Sequence, residues 1–491
     1  KNIKRLDLDN IESATGFMGK LLIEKLLRGC PGINCIYVLI RQKKEKNVLQ
    51  RKEELINDTL FSVLRKEQPE VQRRIVAIEG DCSLPNLGIS IADRATLIGE
   101  VSIVFHAAAT VRFNEKIKLA GAVNVRSLKE MIYLSLKMSK LKSFVHVSTA
   151  YANCPHNTIE EKFYDPPMDA DKFIDLLDSI DQKLLDDITP QLLGEWPNTY
   201  VYTKSIAENI VKKHAGLMPI GIFRPAIVMP TYREPICGWI DNMHGLVGVT
   251  AGGAMGLIRA NYCDKSVKMS VVPGDLTTNA LIVSAWDIEF LSLTHLFYLF
   301  HYYLSTLLIF PRTSFSSGPL IFIHFSFIQI FFHFFICSIS FSSDHAISIN
   351  LSFISRLLKL YMKIHSISQI FFYFIKNEWN FTNKRWNALL RKLTAKDREL
   401  FFCDMKDLDW DTYYQSYILG IRTYIIKDPI ETLPQARLKF RSVIILVQII
   451  LRFFLHNFLY KFYTLRLKIG FALYFCDISW FKRILSIMLL C

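Results

Sequence analysis

The sequence predicts an α/β protein built on a doubly wound parallel sheet, and three observations carry that prediction. Short apolar, β-branched runs recur along the first 287 residues: "CIYVLI" (35–40), "RIVAIEG" (74–80), "VSIVFHAA" (101–108), "SFVHVST" (143–149) and "PIGIFRPAIV" (219–228). Amphipathic segments at 18–28, 115–138 and 201–215 separate them. The runs are apolar without alternation, as strands buried on both faces are. Finally, a turn of small residues opens the first amphipathic segment.

That turn lies in "ESATGFMGKLLIEKLL" (12–27), with Thr15, Gly16, Phe17, Met18 and Gly19 at the start of a helix. A T-G-x-x-G turn presents backbone N–H groups at a helix N-terminus, where the dipole favours an anion such as a pyrophosphate. Ser13 stands where the first glycine of a dinucleotide loop belongs, and "KNIKRLDLDNIES" is polar where a buried central strand is needed. The first strand is therefore expected to be lost. The chain begins at Lys1 rather than Met, which suggests that residues upstream are missing.

The strands that follow place further candidates. "LIRQKKEK" puts Arg41, Lys43 and Lys44 after the second run, where a dinucleotide fold meets the adenosine ribose. A carboxylate there binds a free 2′-hydroxyl and a base suits a 2′-phosphate, so NADPH is favoured over NADH. Asp81 ends "RIVAIEGD" at the adenine edge, and the small Ala108 in "HAAAT" permits close approach of backbone to the cofactor or simple packing.

Ser148 and Thr149 end the next run, and "NTYVYTKSIAE" spaces Tyr200 and Lys204 one helical turn apart. A phenol, ordinarily near pKa 10, works as proton donor or base when a neighbouring cation stabilises its phenolate. Lys204 is placed to do so and to bond the nicotinamide ribose, and Thr149 to hold a substrate carbonyl against Tyr200. Tyr133 and Lys137 share that spacing but precede the Ser/Thr run, and Tyr133 is assigned to a packed helix face.

With 491 residues the chain has room for several domains. The net charge of +14 suits phosphorylated ligands, anionic lipid or nucleic acid, or serves solubility and membrane orientation. Ten scattered cysteines without a C-x-x-C pair point to neither a zinc site nor a dithiol motif, and no metal is expected.

Composition changes after the α/β domain (1–287). Residues 290–341 carry 13 of the 36 phenylalanines and one charge, Arg312. The runs 290–310 and 319–341 are each long enough to span a bilayer. The insert 288–350 reads either as a transmembrane hairpin or as translated non-coding A/T-rich DNA. A helical domain follows at 351–440. The tail 441–491 is apolar with Arg452, Lys461, Arg466 and Lys468, as a membrane-associated segment is, and its basic residues favour the cytosolic side.

Taken as wording as well as spacing, "ATGFMGKLLIEKLLRGCPGINCIYVLIRQKK", "FHAAATVRFNEKIKLAGAVNV", "FVHVSTAYAN", "NTYVYTKSIAE" and "LDWDTYYQSYILGIRTYIIKD" resemble blocks of the fatty acyl-CoA reductases, within the extended short-chain dehydrogenase/reductases. The resemblance covers roughly 14–287 and 356–437. It implies a Rossmann-type sheet followed by a helical C-terminal domain. It also implies two-step, NADPH-dependent reduction of a long-chain fatty acyl-CoA to a primary alcohol through a bound aldehyde. Tyr200 would donate the proton, Thr149 steady the oxyanion, and Asn124 organise active-site water and backbone. The implied partners are acyl-CoA and a membrane lipid surface, without nucleic acid, at the endoplasmic reticulum or peroxisome with the catalytic domain in the cytosol. The alternative readings are a non-catalytic membrane-bound member with a degenerate loop, or another extended reductase acting on a lipid or sterol.

Overall fold

The apolar runs form a seven-stranded sheet in which every neighbouring pair is parallel. A computed structural model of the chain describes residues 10–12, 14–43, 45–255, 258, 267–291, 298–302, 304–306, 359, 362, 369, 371–435 and 437–438. In chain order the strands are β1 (Asn10–Glu12), β2 (Ile36–Ile40), β3 (Ile75–Glu79), β4 (Ile103–His106), β5 (Ser143–Val147) and β6 (Thr158–Ile159). There follow β7 (Ile220–Pro225), β8 (Ile227–Met229), β9 (Met269–Pro273), β10 (Tyr298–Tyr302), β11 (Leu304–Thr306) and β12 (Asn380–Phe381).

The main sheet runs β10-β7-β5-β4-β1-β2-β3. Strand order reverses between β1 and β4, and in an open α/β sheet a ligand binds outside the carboxyl ends of the strands at such a point. β2, β4 and β5 are buried along their whole length, which is why their sequences do not alternate. Helices Phe17–Gly29, Ser127–Ser135 and Thr199–His214 bury apolar faces against the sheet. A three-stranded sheet, β11-β9-β8, and the two-stranded β12-β6 complete the strands.

Two expectations are corrected here. The first strand is not lost: Asn10–Glu12 pairs with β2 on one side and β4 on the other. Parallel pairing uses only main-chain N–H and C=O groups, so a polar sequence can supply a short strand. Within the run 290–310 the described residues include no membrane helix either. Tyr298–Tyr302 extends the sheet beside β7, and Leu304–Thr306 pairs antiparallel with β9. An apolar run reads alike as a buried strand or a buried helix, and periodicity alone does not separate them. Among the described residues no helix is long and apolar enough to cross a membrane. The rest of the 288–350 insert, the run 319–341, the tail 441–491, Ser13 and Lys44 lie outside the described residues.

Two compact units divide the chain, 1–309 with 317–425, and 310–316 with 426–491. The first holds the sheets and, in its C-terminal part, helices Lys384–Lys392, Ala395–Leu400 and Trp410–Gly420. Glu161 accepts from the backbone amides of Arg385 at 2.8 Å and Trp386 at 3.0 Å, at the start of the first of these. In the second unit the described residues include a turn at Ile430–Thr432, where Thr432 Oγ1 donates to Asp428.

Candidate active site

The turn after β1 delivers the chain into helix Phe17–Gly29 with Gly16 as N-cap, and no side chain caps that end. The amides of the first turn therefore lack a side-chain acceptor, which fits the pyrophosphate of a dinucleotide. Gly19 is buried, whereas Thr15, Gly16, Phe17 and Met18 are partly exposed. Phe17 stacks on Trp239, ring centroids 5.4 Å apart and planes 12° from parallel. Thr15 Oγ1 accepts from Arg51 Nη2 at 2.9 Å, and Arg51 also donates to the Arg41 carbonyl. Arg51, which the sequence did not single out, thus joins the turn after β1 to the loop after β2.

At the carboxyl end of β2, Arg41 is 60% exposed, with Nη1 3.6 Å from Asp81 Oδ2. Asp81 follows β3, its amide donating to Leu87 O at 2.7 Å and its Oδ1 accepting from the Ser83 amide and hydroxyl. Arg41 and Asp81 therefore face the same edge, beyond adjacent strand ends. Ala108, just past β4, is buried.

Asn124 is fully buried in a π-helical turn, Ala122–Arg126. Its Oδ1 accepts from the Thr110 amide at 2.9 Å, and its Nδ2 donates to Thr110 O at 3.3 Å and Thr203 Oγ1 at 2.9 Å. It fixes the loop after β4 to the helix that carries Tyr200 and Lys204.

Ser148 and Thr149 follow β5 directly, both buried. Asn198 caps helix Thr199–His214 by accepting from the Val201 amide, and the helix lays Tyr200, Lys204 and Glu208 along one side at four-residue steps. Thr149 lies beside Tyr200 and acts on its phenol. Burial pushes its phenol up to about 12, against the opposing pull of Thr149. Lys204 is 1% exposed, and its Nζ donates to Val147 O at 2.7 Å. Burial pulls its ammonium down to about 8, with Glu208 acting in the other direction. Lys204 thus stands one turn beyond Tyr200 on the same helix. Burial keeps the phenol protonated, the form that donates.

Behind these residues lies an ion pair that the sequence reading missed. Arg224, in β7 and fully buried, places Nε 2.8 Å from Glu208 Oε1 and Nη2 2.6 Å from Oε2. Glu208 also accepts from Ser148 Oγ at 2.7 Å and Asn153 Nδ2 at 3.1 Å. The charged network pins the end of β5 to the Lys204 helix. Its signal was legible: an arginine inside the apolar run "PIGIFRPAIV" requires a buried partner.

Tyr133 is corrected from core to surface. It is 45% exposed, because helix Ser127–Ser135 buries Met131, Ile132 and Leu134 and turns Tyr133 outward beside Lys129 and His214. The choice of Tyr200 over Tyr133 is consistent with this placement.

Two family models described as male sterility protein match the chain, an NAD-binding one over residues 13–281 and a second over 325–428. The chain is 38% identical over 443 residues to "Fatty acyl-CoA reductase wat" of Drosophila melanogaster, covering 87% of this chain and 85% of that protein. It is 34% identical to "Fatty acyl-CoA reductase 1" of Homo sapiens, covering 87% and 86%. Among solved structures, the terminal R domain of the myxalamid PKS-NRPS pathway superposes with a TM-score of 0.55 at 17% identity, covering 87% of this chain and 93% of that one. The R domain of a nonribosomal peptide synthetase from Mycobacterium tuberculosis gives 0.55 at 18%, covering 85% and 93%. These likenesses establish a Rossmann-like reductase fold, and the NAD-binding family model a nicotinamide cofactor. The chain belongs to the fatty acyl-CoA reductase family of enzymes.

Proposed function

We infer that the chain reduces a long-chain fatty acyl-CoA to the primary alcohol through a bound aldehyde, with NADPH as reductant. The observation that carries this reading is the arrangement just past the carboxyl end of β5, where Thr149 lies beside Tyr200 and buried Lys204, one turn along the same helix, donates to Val147 O at 2.7 Å. Bound NADPH supplies the hydride in each reduction. The turn Thr15–Gly19 would hold its pyrophosphate, Asp81 its adenine edge, Arg41 its 2′-phosphate, and Lys204 its nicotinamide ribose.

The protein's own part is positioning and proton supply. The Tyr200 phenol holds its proton at neutral pH and gives it to the carbonyl oxygen as negative charge develops there. Thr149 presents a second hydroxyl to that oxygen. Lys204, charged at neutral pH, sits where it favours the tyrosinate left behind. Overall, one thioester, two hydrides and two protons become one alcohol and free CoA thiol.

Basic surface charge suits the CoA phosphates. We extend the reading to a lipid surface, with the catalytic part in the cytosol at the endoplasmic reticulum or peroxisome. The apolar composition of 441–491 and its basic residues support that extension. Incubation of the full chain with hexadecanoyl-CoA and NADPH tests the activity. Hexadecanol with two NADPH consumed per alcohol is expected; accumulation of aldehyde as sole product, or no product, contradicts it.

A further inference from the structure

The aromatic residues around Tyr200 show which way a substrate leaves the reacting carbonyl. Phe113, in the loop after β4, stacks on the Tyr200 ring with centroids 5.8 Å apart and planes 15° from parallel. It also meets Phe371 at 5.3 Å and Phe374 at 5.4 Å, both on the helical segment 371–376. Phe374 continues the contact to Tyr151, the second residue after Thr149, at 5.4 Å. Phe113 and Phe371 are only partly buried, so their rings retain accessible apolar surface.

The Phe113 loop is held on both sides. Thr199 Oγ1 donates to Glu115 O at 2.9 Å and lies 3.3 Å from Phe113 O, while Asn124 fixes Thr110 upstream. The ring is thus set against the proton donor by the helix that carries that donor. A carbonyl seated at Tyr200 and Thr149 has two substituents to place. The thioester side continues into the pantetheine arm of CoA, whose amide groups an aromatic wall leaves without hydrogen-bond partners. The alkyl side gains by leaving water against such a wall.

Resting on the function inferred above, we propose that Phe113 and Phe371 form the wall that receives the first methylenes of the acyl chain and makes the site select for alkyl length. Burial of one methylene on this wall corresponds to about a four-fold gain in kcat/KM, from roughly 0.8 kcal/mol per CH₂.

The test uses the full chain and a series of straight aldehydes from butanal to dodecanal with NADPH. In the unmodified protein, kcat/KM is expected to climb about four-fold per methylene over the first few carbons. Phe113→Ala should flatten that climb, lowering the octanal-to-butanal ratio ten-fold or more. Phe371→Leu, which alters the wall without touching Tyr200, should lower the ratio in the same direction. A parallel loss for every aldehyde, with the ratio unchanged in both variants, shows Phe113 to be a prop for Tyr200 and overturns the wall. So does an unchanged ratio with full activity. If Phe113→Ala fails to fold, the Phe371→Leu ratio alone decides. Absence of turnover of any acyl-CoA or aldehyde by the unmodified chain overturns the parent reading, and the wall with it.

Discussion

Lys204 donates through Nζ to the Val147 carbonyl at 2.7 Å, so the cation of the candidate site is anchored to the last residue of β5, directly before Ser148 and Thr149. Because the ammonium is buried, its proton is held less tightly than in water, at about 8 against an ordinary 10.5. The Tyr200 phenol, near 12, stays protonated across the same range. In a pH series with the full chain, log kcat/KM is expected to fall with unit slope above about pH 8. A flat profile to pH 9.5 contradicts this role for Lys204.

Lys204 also links function to stability. Its folded pKa lies below its unfolded value, so between about 8 and 10.5 the unfolded chain binds the extra proton. The contribution of this group to stability therefore rises with pH across that window. Replacing a buried charge by an apolar side chain of similar length is stabilising where the remaining charges stay paired, and Glu208 retains Arg224. Lys204→Met should raise stability at pH 7 by ~1–2 kcal/mol while turnover falls. Loss of both stability and turnover would show that the ammonium is needed for the fold.

The Glu208–Arg224 pair gives the opposite expectation. Glu208→Ala leaves a fully buried guanidinium without its carboxylate and removes the acceptor for Ser148 and Asn153. Breaking such a pair from one side costs about 3–5 kcal/mol. Urea denaturation of the variant should show that loss, and a change below about 1 kcal/mol would mean that the pair behaves like a surface salt bridge.

The layout of the sheet was legible because buried parallel strands leave unbroken apolar runs, and β2 to β5 and β7 fall within those read from composition. β1 was missed because Asn10–Glu12 pairs through its backbone and its single apolar residue, Ile11, makes no apolar run. β10 was missed for the converse reason: its run is apolar enough to read as a membrane helix. At the candidate site, spacing placed Ser148 and Thr149 at the end of a strand and Tyr200 and Lys204 one turn apart on a helix, as the elements are arranged. Arg51 and Glu208 were not placed, since their roles depend on long-range pairings that no local spacing encodes, and the arginine in the apolar run at 219–228 signals a buried partner without naming it.

Arg41 tests the cofactor preference. It is exposed beyond β2 and paired with Asp81 only across 3.6 Å, so its charge is available to a 2′-phosphate. A charged hydrogen bond is worth about 1.5–3 kcal/mol, so Arg41→Ala should raise the KM for NADPH about 10- to 100-fold. The KM for NADH should change little. Equal effects on both cofactors would place Arg41 away from the phosphate.

The most direct test of the account is Tyr200→Phe in the full chain, with hexadecanol formation and NADPH binding measured on the same preparation. Removing the proton donor should lower alcohol formation by roughly 10²–10⁴-fold while NADPH binds as before. Alcohol formation within a few-fold of the unmodified chain would contradict the assignment of Tyr200 as proton donor.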